Sequence, residues 1–85
     1  MDQGSMKLDD LITQEKKLAA NEYQAEAWAD GISEGIEPEI LAEAAFSTAL
    51  TELIREAGEG PALSLLETMR EHIIAGDFLI HRNLQ

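Results

Sequence analysis

The chain contains two prolines, and each follows closely on a glycine: Gly35 precedes Pro38, and Gly58 and Gly60 precede Pro61. No other feature constrains the fold as strongly. Glycine lacks a Cβ and readily takes the left-handed conformation that closes a helix. Proline suits the first position of a helix, where its missing N–H has no helical acceptor to serve. This punctuation predicts three helices. The first begins near Met6 to Leu8 and is closed by Gly35, and the second runs from Pro38 to about Ala57 and is closed by Gly58. The third is opened by Gly60-Pro61 and closed by Gly76. Alanine, leucine and glutamate dominate and valine is absent, which favours helix over strand. On this reading "WADGISEGIEPE", residues 28–39, is a joint between two helices rather than a ligand-binding loop.

The apolar spacing gives each helix a face. In the first, Leu11, Leu18, Ala25 and Ile32 recur every seven residues, with Trp28 and Ala29 beside them. Ser5 is the expected N-cap, with Asp9 and Asp10 in the first turn. The acid ladder Glu22, Glu26, Asp30 and Glu34 is expected on the other side. Leu8, Ile12 and Ala19 lie off the stripe, so this helix either supercoils with a seven-residue period or breaks near Asn21. Unbroken to Glu34 it spans about 40 Å. That is too long for a compact monomer of this size, so an unbroken helix implies an oligomer or a bent arm. The second helix offers Ala42, Phe46, Ala49, Leu50, Leu53 and Ala57, with Ile40, Leu41 and Ala44 off that face. The third offers Ala62, Leu66, Met69 and Ile73, with Leu63 and Ile74 off it. In the tail, Asp77 caps a short terminal helix or Phe78 and Ile80 alternate in an extended segment; either way the apolar tail is expected to dock. Residues 1–5 read as a disordered leader or an expression remnant, leaving residues 6–85 as one helical domain.

Several function classes are disfavoured. A chain of 85 residues buries a modest fraction of its surface and usually needs a staple. There is no cysteine for disulfides or thiolate metal sites, and two histidines do not make a zinc site. The lack of cysteine suits a reducing cytoplasm. With 17 acids against 6 bases and a net charge of −11, direct binding to nucleic acid phosphates or an anionic membrane surface has the wrong sign. No apolar run approaches the roughly 20 residues of a membrane span, and no signal-peptide pattern opens the chain. No cofactor is expected.

Each candidate site has a plain alternative. The ladder Glu22, Glu26, Asp30, Glu34 is a solvated face, or a docking strip for a basic protein surface, or a mimic of spaced phosphates. Its like-charge pairs cost roughly 1 kcal/mol in total, which a packed helix tolerates. Tyr23, among these acids, is a packing residue or an exposed recognition residue. His72 and His81 have no nucleophile at helical spacing, since Ser47 and Ser64 lie elsewhere, and no catalytic arrangement is expected. Asp77 and His81 meet only if the tail is helical. Gly58-Glu59-Gly60 lacks the P-loop pattern and reads as a helix–helix turn.

The surplus of apolar residues is the most informative signal. Ile40, Leu41, Leu63, Ile74 and the Phe78–Ile80 segment exceed what three amphipathic faces need, and a C2 homodimer covers such a patch most simply. The candidate packing and interface residues are Trp28, Ile32, Ile36, Ile40, Leu41, Phe46, Leu63, Ile74, Phe78 and Ile80. Within the joint, the line Trp28–Ile32–Ile36 is expected to fasten the corner to the core.

The segments "AWADGISEGIEP", "AEAAFSTAL", "AGEG" and "AGDF", between Tyr23 and Phe78, resemble small acidic all-helical proteins of bacteria that carry no established activity. The resemblance implies an architecture and transfers no site residues. The expectation is thus an all-α domain of three main helices in a small bundle with a docked C-terminal tail, dimeric, acting as a non-enzymatic interaction or regulatory module. The alternatives are an acidic mimic that inhibits a basic nucleic-acid-binding protein, and a small enzyme or ligand-binding subunit with a site across a dimer interface.

Overall fold

The computed structural model describes residues 7–79. Ser5 and the rest of the leader, and the tail from Ile80 onward with His81, lie outside the described residues. The fold is all-α, with α1 over Leu8–Ser33, α2 over Pro38–Ala57 and α3 over Glu59–Ala75, and no strand among the described residues. The chain divides into two compact units, the first ending at Ala42 and the second beginning at Glu43. The division falls inside α2, whose opening turn belongs to the first unit.

In the first unit α1 runs unbroken through Asn21 for 26 residues, about 39 Å at the rise of an α-helix. Nothing at Asn21 breaks it, because no proline or glycine falls between Leu8 and Asp30. Its N-terminus differs from expectation. Lys7, not Ser5, is the capping residue; its backbone is extended, and its carbonyl accepts the N–H groups of Asp10 and Leu11 at 3.0 and 3.1 Å. Among the described residues no side chain caps the first turn, and Asp9 and Asp10 offset the helix dipole there. The C-terminus closes as predicted. Gly35 has φ +87°, its N–H donates to the Ile32 carbonyl at 2.9 Å, and the Ile36 N–H donates to the Gly31 carbonyl at 3.1 Å. These two bonds are the Schellman pair that satisfies the last carbonyls of a helix. Pro38 then opens α2, with the Glu37 carbonyl accepting the N–H groups of Ile40 and Leu41, each at 3.0 Å.

At this corner α1 and α2 approach closely at Gly31 and Leu41. A Cβ placed on Gly31 would come within 2.8 Å of Leu41 Cδ1, so Leu41 lies directly over the glycine. Gly31 is the only buried residue of α1, and Leu41 is half-buried rather than part of an exposed patch. Trp28, Ile32 and Ile36 stay exposed. The chain reverses at Gly35, so Ile36 no longer continues the i,i+4 line of α1.

In the second unit α2 ends where the Gly58 N–H donates to the Ile54 carbonyl at 2.8 Å. Gly58 has φ 89° and ψ 177°, a region that only glycine occupies without strain. The third helix begins immediately at Glu59, two residues before the predicted start. Gly58 alone is therefore the joint, and Glu59 and Gly60 are already helical. Pro61 sits in the first turn, where backbone N–H groups lack intrahelical acceptors, so it is tolerated at the third position as well as the first. Ala62, 3% exposed, is the one buried apolar side chain among the described residues, and Leu50, Leu53 and Met69 are half-buried.

After α3, Gly76 takes the left-handed conformation and the Asp77 N–H donates to the His72 carbonyl at 2.9 Å. Residues 76–79 form a turn, not a terminal helix capped by Asp77 and not a strand. Phe78 and Leu79 are 58% and 71% exposed, so the expected docking of the tail does not occur at these two residues. Phe78 meets the His72 ring edge-on at 5.9 Å, and the Leu79 N–H donates to the Gly76 carbonyl at 3.1 Å.

Candidate functional site

Two surfaces gather the residues that the sequence singled out. The first is α1 and its joint. At about 100° per residue, a spacing of four advances 40° around the helix. The acid ladder therefore does not keep to one side. Glu22 stands only about 40° from Leu18, beside the apolar stripe, and the ladder winds away until Glu34 is on the far side. All four carboxylates are exposed, and none forms an ion pair among the described residues. Lys16 and Lys17 have no acid three or four residues away, so they do not neutralise α1 from within. The last turn of α1 also carries no base, whereas α2 ends with Arg55 and α3 with His72. Glu37 and Glu39 follow, and the exposed apolar residues Trp28, Ile32, Ile36 and Ile40 share this unit.

The second surface is on the α2–α3 hairpin. Leu50 and Ile54 of α2 with Ala62, Leu63 and Leu66 of α3 line an open apolar depression of about 170 Å³, and Glu59 is its one carboxylate. Leu63, 64% exposed, forms part of its rim, and Ile74 on the same helix is 69% exposed. Phe46 is exposed on α2. The structure thus places Leu63, Phe46, Ile74 and Phe78 at the surface of one unit, and Trp28, Ile32, Ile36 and Ile40 at the surface of the other.

The polar contacts of the second unit are few and local. Glu52 pairs with Arg55 and Glu67 with Arg70, both one helical turn apart and both exposed. Asp77 pairs with His72. The His72 Nδ1–H donates to the Asp77 carboxylate at 2.7 Å, with the proton on Nδ1 because a carboxylate only accepts. The spacing of five residues hid this pair, since side chains i and i+5 do not meet on a continuous helix; the turn at Gly76 brings them together. Among the described residues no group of three or more His, Cys, Asp or Glu is placed to hold a metal ion. No described helix is long and apolar enough to cross a membrane.

No protein-family model, curated protein or solved structure matches this chain.

Proposed function

We propose that this chain is a non-enzymatic, acidic protein-interaction module that assembles with itself. One observation carries the reading: large apolar side chains on all three helices, among them Leu18, Ile40, Phe46, Leu63, Ile73 and Ile74, are exposed, while among the described residues Ala62 is the one buried apolar side chain. Each fully buried side chain of this size contributes about 1.5–3 kcal/mol, and soluble monomers rarely leave a large apolar patch uncovered. A second copy covers such faces by an isologous contact. Sedimentation velocity at micromolar concentration tests this. The expected result is a species of at least twice the chain mass, reduced toward the monomer by Leu63→Glu with Ile74→Glu. A single monomeric species of the unaltered chain overturns the proposal.

A second reading, an acidic mimic that occupies a basic nucleic-acid-binding surface, is favoured by the ladder. Its carboxylates are exposed and unpaired among the described residues, next to a helix end without a base. That combination suits a cationic partner. Binding to such a protein is expected to weaken with salt and with Glu26→Lys plus Asp30→Lys together; binding indifferent to both removes this reading. A ligand-binding subunit needs several converging polar groups, and the hairpin depression offers only Glu59.

A further inference from the structure

We draw no further inference here: the strongest candidate, the open apolar depression between the C-terminal part of α2 and the start of α3, lined by Leu50, Ile54, Ala62, Leu63 and Leu66, is an unpartnered face, and nothing in the structure shows what covers it.

Discussion

Replacing Gly31 by alanine sets two effects of known sign against each other. Alanine in a helix interior is favoured over glycine by about 0.5–1 kcal/mol, because it loses less backbone freedom on folding. The new methyl, however, would lie 2.8 Å from Leu41 Cδ1 and 3.2 Å from Leu41 Cγ. Overpacking of this kind costs about 1–3 kcal/mol. Leu41 is half-buried and both of its terminal methyls, Cδ2 the nearer, must give way, so the cost is expected near the middle of that range, about 2 kcal/mol. Gly31→Ala is therefore expected to destabilise by about 1 kcal/mol net. In a Leu41→Ala background the obstructing atoms are gone. There the same change is expected to stabilise by about 0.5–1 kcal/mol. The double-mutant cycle thus returns a coupling of about 1–2 kcal/mol together with a reversal of sign. Urea unfolding followed by circular dichroism at 222 nm measures it, with all four proteins at one concentration so that self-association does not shift the midpoints unequally. If Gly31→Ala stabilises both backgrounds equally, Leu41 does not lie over Gly31 and the account of the joint is wrong.

Two more predictions concern the helix ends. Gly35 and Gly58 both have positive φ with open space where a Cβ would stand, so substitution there probes the backbone alone. Gly35→Ala is expected to cost about 1–2 kcal/mol, and Gly58→Ala more, up to about 3, because ψ near 177° puts Gly58 outside the left-handed helical well that other residues visit; equal losses in urea unfolding contradict the assigned conformations. Asp77→Asn removes the carboxylate from His72, and the exposure of both side chains limits the loss to about 0.2–1 kcal/mol. Hydrogen exchange is expected to accelerate at the Gly76 and Asp77 amides and not at Gly58; uniform acceleration speaks against a local clamp.

The helices were legible because their ends are written locally. Gly35, Pro38, Gly58 and Gly76 each act through their own φ or their own missing N–H, and the structure uses all four at helix ends. The start of α3 was misplaced because Pro61 is compatible with any position in the first turn, so it marks that turn without fixing the first residue. The continuity of α1 was undecidable from the stripe alone, since Leu8, Ile12 and Ala19 fit a bend as well as a supercoil. The Leu41–Gly31 contact and the His72–Asp77 pair were hidden for one shared reason. Each forms across a left-handed glycine, where the spacing rules of a continuous helix stop applying. The faces were less legible. Leu63 and Ile74 fall off the face of α3 by count and stand at the surface, but Ile73 on that face and Phe46 on the face of α2 are exposed as well; Leu41 was grouped with the off-face residues because counting residues does not show that α2 turns it onto a glycine.

The energetics of α1 give the uncovered stripe its meaning. An isolated helix in water is marginal below about 12–15 residues even with good helix formers, and most helical stability in proteins comes from packing of an apolar face. Among the described residues α1 buries Gly31 and nothing else. Its carboxylates at i,i+4 repel one another, its lysines have no acid at helical spacing, and Asp30 stands near the negative end of the helix dipole with no base in the last turn. Local interactions within α1 therefore oppose its C-terminal half, apart from the closing bonds at Gly35. Cover along Leu11, Leu18, Ala25 and Ile32 would add the packing of an apolar face to this 26-residue helix. On the first proposed reading a second copy of the chain would supply apolar cover for that stripe, and on the second a cationic partner would relieve the ladder beside it. Both proposed readings thus answer the same deficit, and the apolar part of it is the larger, because the ladder costs roughly 1 kcal/mol while each covered leucine or isoleucine returns about as much or more.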